Sequence, residues 1–350
     1  MAMLAETTTF VVDSGDKKGD SGNNNNNNKR TTTTSSSKIV GRSRAGDATA
    51  FAIPELKWLF DCGAMVQEWK PRLIFLTHTH SDHVHFLFRF KDEERPPTIY
   101  LPEASVPFVE SCIKAYQEMT DCCLTEAEEV AATATATVAS LQETRETPKL
   151  EYVLRPTKPD EDIFFSSGGS KFRMRTLNMV HRIPCLGYSI FKLQSRLKEE
   201  YTGLPSKEIG QLRKNGVEIT TLEEEPYLCF MGDTTAKVFT NYPEILNQHS
   251  TVIVECSFID AKSRQRAETT KHVHWDDLQP HIASHPGTMF VLTHFSLKYS
   301  TLSLRRFFQD QQLIYDNIHP MLIEREIEEQ WRSTGEKGDP PRCKCRVCLS

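Results

Sequence analysis

The segment LTHTHSDHVHFL, at residues 76–87, concentrates four histidines and one aspartate within eight positions. It continues the apolar run LIFL, which is typical of a buried β-strand. Crowding so many imidazole and carboxylate groups is costly unless a cation lies among them. We therefore expect this loop to hold metal ions, and we expect a fold that gathers side chains at the ends of strands.

Further apolar runs alternate with helical patterns along the chain, which predicts an α/β fold. Four of these runs are KFRMRTLNMVH, YLCFMGD, STVIVECSF and TMFVLTHFS. In each run the apolar part is followed by a side chain that can bind metal or carry a proton. These side chains are His181, Asp233, Glu255 and His294. In α/β folds such strand ends meet at one edge of the sheet, so we expect these side chains to converge.

The spacing of the histidine block predicts two neighbouring ions. The first two histidines can chelate one ion, and the aspartate–histidine pair that follows can chelate the other. Two ions about 3.5–4 Å apart need about seven protein ligands when a shared water completes them. His181 is predicted to bind the first ion, Asp233 to bridge both ions and His294 to complete the second. Imidazole with carboxylate favours zinc, and manganese or iron are the alternatives. The predicted ligands are His78, His80, Asp82, His83, His181, Asp233 and His294.

The remaining histidines are not predicted to bind metal. His85 lies two positions beyond the block, beside Phe86 and Leu87, and we expect it to pack near the site or support a ligand. No motif surrounds the others, so surface or core positions are expected for His249, His281, His285 and His319.

Composition divides the chain into a folded domain at 38–325 and two flanking segments. Residues 1–37 end in the polar tract NNNNNNKRTTTTSSS and are predicted to be disordered. An Ala/Thr/Glu-rich stretch at 121–149 is predicted to be a surface insertion. The remainder, 326–350, is predicted to be a flexible tail.

That tail contains three cysteines in RCKCRVCLS. Cys343, Cys345 and Cys348 could hold zinc, but a closed structural site needs four ligands, and the sequence nearby offers no fourth. The favoured interpretation is therefore a tail with exposed thiols.

The net charge of −5 means that any binding of nucleic acid depends on a local basic patch. No apolar run is long enough to span a membrane. The first residues are too polar for a secretory signal and too acidic for a mitochondrial transit peptide, so a cytoplasmic or nuclear location is expected.

The HxHxDH block, the distant histidine, the GDT aspartate and the final histidine resemble the metallo-β-lactamase superfamily. That resemblance implies a four-layered αββα sandwich with two zinc ions per subunit at one edge. HRIPCLGY, GLPSKEIGQLRKNGVEIT and HFSLKY further resemble the tRNase Z family, and the similarity extends over roughly residues 40–300. Two positions depart from the family pattern. Val84, His85 and Phe86 stand where small residues are usual, and Lys298 replaces an arginine.

The family resemblance implies a zinc-dependent endoribonuclease that removes the 3′ trailer of precursor tRNA and leaves a 3′-hydroxyl. It also implies a homodimer. Glu255 and His272 would then act as an orienting carboxylate and a general acid, and Asp82 would help to position or deprotonate the water. His272 is the first histidine of KHVHWDD, and the second, His274, is predicted to be structural.

The family's substrate-binding arm corresponds to residues 192–226 here. We expect a projecting helix-turn-helix with net positive charge that grips backbone phosphates. The residues predicted to bind RNA are Lys192, Arg196, Lys198, Lys207, Arg213 and Lys214.

Other functions are compatible with parts of this pattern. A related phosphodiesterase could act on another RNA or a cyclic nucleotide. A glyoxalase-type thioester hydrolase would leave the arm unexplained. A non-catalytic RNA-binding paralogue would have no need of the complete set of ligands and acid–base residues.

Overall fold

Two β-sheets pack face to face in the computed structural model, which describes residues 7–13, 36–92, 94–129 and 151–349. Aromatic side chains from both sheets fill the space between them. The ring centroid of Trp58 lies 5.4 Å from that of Phe75 on its own sheet, and 4.9 and 5.7 Å from those of Phe172 and Tyr227 on the other. The inner faces of the two sheets therefore form one shared core.

The first sheet has the order β1-β2-β3-β4-β5-β6-β7, with a short strand β14 paired to β2. Its first three pairings are antiparallel and the next three are parallel. Its strands are β1 (Thr8–Asp13), β2 (Ser36–Ala45), β3 (Ala48–Ile53), β4 (Trp58–Phe60), β5 (Leu73–Phe75), β6 (Thr98–Pro102), β7 (Val153–Thr157) and β14 (Phe295–Ser296).

The second sheet has the order β15-β13-β12-β11-β10-β9-β8. The runs TVIVE and MFVLT form neighbouring parallel strands that are buried throughout, as expected for strands covered on both faces. Its strands are β8 (Asp162–Ser167), β9 (Ser170–Asn178), β10 (Leu186–Leu197), β11 (Thr220–Phe230), β12 (Thr251–Glu255), β13 (Met289–Thr293) and β15 (Ile318–Pro320).

Helices cover the outer faces of both sheets. Val109 and Ile113 of the long helix α2 pack on the first sheet, whereas Trp275 and Phe308 pack on the second. The four-layered αββα sandwich implied by the resemblance is thus confirmed. The helices are α1 (Ser81–Val84), α2 (Val106–Glu129), α3 (Ser206–Lys214), α4 (Val238–Asn241), α5 (Ile245–Gln248), α6 (Arg264–Thr270), α7 (Trp275–Ser284), α8 (Thr301–Gln311), α9 (Glu324–Thr334) and α10 (Arg346–Leu349).

Two segments predicted to lie outside the domain contribute to it. Within 1–37, the segment TTFVVD forms β1, which pairs antiparallel with β2 and buries Phe10 between the sheets. Within 326–350, α9 buries Ile327 and the final cysteines pack onto the second sheet. The prediction was wrong there because apolar residues next to polar tracts were assigned to those tracts. Of the predicted insertion at 121–149, residues up to 129 continue α2 and the rest lie outside the described residues.

Within the described ranges, no helix is both long and apolar enough to cross a lipid bilayer.

The segment between β10 and β11 forms an extended hairpin. Strand β10 pairs with β9 only as far as Leu193, and β11 pairs with β12 only at Cys229 and Phe230. Beyond those positions the two strands pair only with each other, out to Leu197 and Thr220. Helix α3 lies in the connection at the tip. The predicted helix-turn-helix is therefore wrong in form. The structure has two paired strands, with helix α3 in the connection between them.

Candidate metal centre

Four side chains converge at the ends of β5, β9 and β11 to form the first donor set: His78, His80, His181 and Asp233. The Nε2 atom of His78 lies 3.0 Å from Nδ1 of His80 and 3.5 Å from Oδ2 of Asp233. The Nε2 atom of His181 lies 3.3 Å from Nδ1 of His80 and 4.0 Å from the same oxygen of Asp233.

The second donor set consists of Asp82, His83, His294 and the other oxygen of Asp233. His83 Nε2 lies 3.3 Å from His294 Nε2 and 3.6 Å from Asp82 Oδ2. Oδ1 of Asp233 is 3.5 Å from His83 Nε2 and 3.4 Å from His294 Nε2. Asp233 thus presents one oxygen to each set, and the structure brings together all seven side chains predicted as ligands.

These separations fit divalent metal ions. Tetrahedral coordination with bonds of about 2.0–2.1 Å places neighbouring donor atoms about 3.3–3.4 Å apart. The separations in both sets range from 3.0 to 4.0 Å around that value. Five imidazoles with two carboxylates form a donor group typical of zinc and related metals.

The backbone holds the histidine loop close to the turn after β4. Cys62 N donates to His83 O at 2.7 Å, and Gly46 N, in the separate turn between β2 and β3, donates to Oδ2 of Asp82 at 2.8 Å. A Cβ atom on Gly63 would lie 1.7 Å from the Asp82 carbonyl oxygen, so only glycine permits this approach. The loop and α1 are therefore placed by the turn and not by the donor side chains alone.

The outward nitrogens of the imidazoles are held by hydrogen bonds, which fixes which nitrogen faces the centre. His83 Nδ1 lies 2.8 Å from the Asp61 carboxylate, and His181 Nδ1 lies 3.2 Å from the carbonyl of Lys271. The other two imidazoles contact hydroxyl groups. Thr77 Oγ1 lies 3.0 Å from Nδ1 of His78, and Ser257 Oγ lies 3.1 Å from Nδ1 of His294. Metal-binding histidines are generally supported in this way.

Each hydroxyl has its own acceptor, so it can accept from the imidazole. Thr77 Oγ1 donates to Asp61 at 2.9 Å, and Ser257 Oγ donates to Glu255 at 2.6 Å. His78 and His294 therefore carry their proton on Nδ1, and the lone pair of Nε2 points into the donor set of each.

Strained backbone conformations occur around the same centre. Asp61 and His294 have positive φ angles of 54° and 59°, and Lys271, whose carbonyl contacts His181, has φ 59°. Residues other than glycine rarely adopt positive φ angles, and such strain is often found at functional sites.

Burial and charge set the protonation of the imidazoles. Burial lowers the pKa of His78, His80 and His181, which favours the neutral form that metal binding requires. Burial also opposes protonation of His83, but the carboxylates of Asp233 and Asp61 outweigh it and raise the pKa of His83 to about 9. The carboxylates around His83 therefore favour a positive charge at this position, carried either by a proton or by a metal ion.

Two further side chains, Glu255 and His272, contact each other beside the donor sets. His272 Nδ1 is 2.8 Å from Oε1 of Glu255, which also accepts from Thr234 N at 2.8 Å. Glu255 is almost fully buried, with its other oxygen bonded to Ser257. The sequence-predicted pair is thus in contact, and Nδ1 of His272 lies only 3.9 Å from Asp233.

The neighbouring histidines have structural contacts. His274 is buried, caps α7 by accepting from Asp276 N, and contacts the carbonyl of Asp260 at 3.0 Å. His85 is exposed with its ring 5.0 Å from that of Phe86, and it belongs to neither donor set. His319 is buried, which agrees with one of its two expected positions, and it lies among the C-terminal cysteines.

The two departures from the family pattern have clear positions. Val84 and Phe86 are partly buried and pack in the hydrophobic cluster between the first sheet and α2. Lys298 lies with Nζ 2.7 Å from Oδ2 of Asp260 and forms an ion pair there.

The arm carries less positive charge than predicted. Residues 192–226 contain six basic and seven acidic side chains, because four glutamates follow α3. Arg196, on the stem, forms an ion pair with Glu223 at 2.7 Å. Excess positive charge is limited to α3, which exposes Lys207, Arg213 and Lys214.

Sequence reasoning missed the residues that hold the imidazoles in place. Asp61 follows β4 in LFDCG and Ser257 lies two residues beyond Glu255 in VECSF, so both stand at strand ends. A polar residue directly after an apolar run was the signal available for Asp61 and for Thr77, which follows LIFL. Ser257 has no such signal, because Glu255 and Cys256 separate it from its run.

Comparison with known proteins gives the relationship of the chain. No protein-family model matches it. It is 26% identical over 275 residues to a chloroplastic tRNase Z of Arabidopsis thaliana, covering 76% of this chain and 70% of that protein. It is 25% identical over 274 residues to a second tRNase Z of the same plant, TRZ1, covering 75% of this chain and 86% of that protein.

A structural match is the short form of human tRNase Z, at 16% identity and a TM-score of 0.45, covering 74% of this chain and 93% of that one. The sequence similarity to the plant proteins confirms the resemblance seen in the motifs: the chain is similar to tRNase Z proteins over about three quarters of its length.

Proposed function

We propose that the chain is a metal-dependent endoribonuclease that hydrolyses the phosphodiester on the 3′ side of precursor tRNA. The reaction releases the 3′ trailer and leaves a 3′-hydroxyl on the tRNA. One observation carries the proposal: seven side chains from separate strand ends form two donor sets that share Asp233.

We assign two zinc ions per subunit to these sets, one to each, with manganese or iron as substitutes. Divalent ions held there would lower the pKa of a water molecule and neutralise charge on the phosphodiester. Asp82, whose carboxylate faces His83 and His294, would orient that water.

Proton delivery is assigned to the pair formed by Glu255 and His272. Attack by water forms a new P–O bond while the bond from phosphorus to the 3′ oxygen breaks, and the departing oxygen needs a proton. Because Nδ1 of His272 is engaged by Glu255, Nε2 is the nitrogen that can donate. Glu255 fixes the imidazole and stabilises its protonated form.

The names of the relatives, which are tRNase Z proteins, support tRNA as the substrate class. A homodimer is proposed from the family resemblance alone, and measurement of the mass in solution would test it. The cytoplasm or the nucleus remains the proposed location.

The direct test is incubation of the purified chain with a precursor tRNA, followed by mapping of the new 3′ end. We expect one cut at the start of the trailer, loss of cutting after chelation, and recovery when zinc or manganese is restored. Asp82→Ala is the control for contaminating nucleases.

Hydrolysis of a cyclic nucleotide or a small diester without any cutting of precursor tRNA would favour the alternative phosphodiesterase. Absence of all hydrolysis in metal-loaded protein would favour the RNA-binding paralogue.

The exposed cations on α3 should contribute to affinity for tRNA. Replacing Lys207, Arg213 and Lys214 together by alanine should reduce the slope of log affinity against log salt by about two to three, since each phosphate contact contributes about 0.7–0.9. Hydrolysis of a small diester should be unchanged, because it needs no arm.

Binding titrations at several salt concentrations check this prediction. The matched control replaces Lys114, Arg332 and Lys337, three exposed cations on other parts of the surface. An equal loss of slope in both triple variants would remove α3 from the binding surface.

A further inference from the structure

A second group of metal-binding side chains lies outside the donor sets described above. We call it the C-terminal cluster; its members are His319, Cys343, Cys345 and Cys348. All four donor atoms lie within 4.8 Å of one another. The histidine comes from the middle of β15, more than twenty positions before the first cysteine, so the motif CxCxxC gives no indication of it.

We propose that the C-terminal cluster binds one structural zinc ion through Nδ1 of His319 and the three thiolates. Four protein ligands complete the tetrahedral shell and leave no open position for substrate, which is the pattern of structural zinc and not of catalytic zinc. This inference does not depend on the proposed function.

The distances match the edges of a zinc tetrahedron. His319 Nδ1 lies 3.3 Å from Sγ of Cys345, 3.6 Å from that of Cys348 and 3.8 Å from that of Cys343. With Zn–S bonds of about 2.3 Å and Zn–N bonds of about 2.0–2.1 Å, the expected separations are about 3.5–3.6 Å for N···S and about 3.8 Å for S···S.

The cysteines are not paired as a disulfide. Sγ of Cys343 and Sγ of Cys345 are 3.5 Å apart, near the zinc tetrahedron edge and far beyond a disulfide bond of about 2.05 Å. All three cysteines are free thiols.

The loop around the thiols is organised by its own hydrogen bonds. The buried side chain of Gln312 donates to Sγ of Cys343 at 3.1 Å and accepts from the backbone of Lys344 at 2.8 Å. Cys348 N donates to the carbonyl of Cys345 at 3.0 Å, and Arg346 N donates to the carbonyl of Asp316. Such contacts orient thiolate ligands and stabilise their negative charge.

Charge supports the same assignment. Three thiolates and one Zn²⁺ leave a net charge of −1, and the motif interleaves Arg342, Lys344 and Arg346 with the cysteines. Cys345 is fully buried, a position where an unpaired thiolate is costly and a metal-bound one is not.

The ion would join two distant parts of the chain, and a third part packs against its histidine ligand. His319 lies in the edge strand of the second sheet, and its ring is 4.9 Å from that of Phe10 in β1. The cysteines bring the end of the chain to the same place. Zinc binding would therefore couple closure of the tail to folding, as in other small zinc sites.

The test uses the full chain loaded with cobalt(II) and, separately, with zinc. Cobalt bound by thiolates absorbs in the near ultraviolet through charge transfer from sulfur, whereas the first centre offers only nitrogen and oxygen donors. We expect this absorption in the native chain, together with release of about one zinc per chain when a mercurial reagent titrates the thiols.

Cys348→Ser, at an exposed position, should lose that absorption and about one zinc per chain, whereas Cys112→Ser, an exposed cysteine on α2, should lose neither. Measurements on the native protein also test the proposal without any variant. Cobalt loading without the sulfur band, or a disulfide among these cysteines in freshly purified zinc-grown protein, would overturn the proposal. Failure of precursor tRNA cleavage would leave this result unaffected.

Discussion

Replacing Asp233 by alanine should lower kcat/KM for phosphodiester hydrolysis by at least about 10³-fold, equivalent to about 4 kcal/mol of transition-state stabilisation. Among the residues that the structure describes, no other side chain contributes to both donor sets. Its Oδ2 lies 3.5 Å from His78, and its Oδ1 lies 3.4 Å from His294. Loss of the carboxylate removes one ligand from each set and the negative charge that offsets two cations.

Asp233→Asn gives a sharper version of the same prediction. The amide keeps the volume of the side chain but offers one oxygen in place of two, and its NH₂ group cannot bind a cation. We expect this variant to retain at most one ion at the centre, with activity close to that of the alanine variant because both ions act on the reaction.

Metal content and kcat/KM on precursor tRNA should be measured on the same samples. If both metal proposals hold, zinc should fall from about three per chain to about one in Asp233→Ala, since the C-terminal cluster shares no residue with the centre. Asp310→Asn, at an exposed position on α8, is the matched control. Activity within about tenfold of wild type in the alanine variant would refute the bridging role.

The donor residues could be predicted from sequence because each follows a run with the apolar pattern of a strand. His181, Asp233 and His294 come within three residues of the ends of β9, β11 and β13. Strand ends in α/β folds converge, so order along the chain was sufficient to bring them together. The contacts of Asp61 and Ser257 with the imidazoles depend on side-chain directions that such patterns do not specify.

Other features depend on pairing between distant segments. His319 stands in the short strand IHP without a motif, and only the packing of the tail brings it to the cysteines. The helix-turn-helix form of the arm was expected from the family resemblance, although Phe191, Leu193 and Leu197 follow the alternation of a strand. Hairpin pairing there outweighs local propensity, as the register from Lys192 to Leu197 shows.

The second large effect concerns His272. His272→Ala should lower kcat by about 10²–10⁴-fold, the range typical of a lost general acid, while the metal content and KM stay close to wild type. Burial lowers the pKa of His272, but the Glu255 carboxylate outweighs it and raises the pKa to about 9. Cations bound nearby would lower this value towards neutrality, where a general acid is most effective.

A leaving group that needs no proton should separate this role from a structural one. Bis(p-nitrophenyl) phosphate releases a stable phenolate, so its hydrolysis by His272→Ala should approach the wild-type rate while cleavage of precursor tRNA stays slow. Glu255→Gln should show the same substrate dependence with a smaller loss, because the amide still contacts Nδ1 but no longer stabilises the imidazolium. His85→Ala, exposed and outside both donor sets, is the histidine control. Equal losses on both substrates would mean that His272 supports the metal centre and does not deliver the proton.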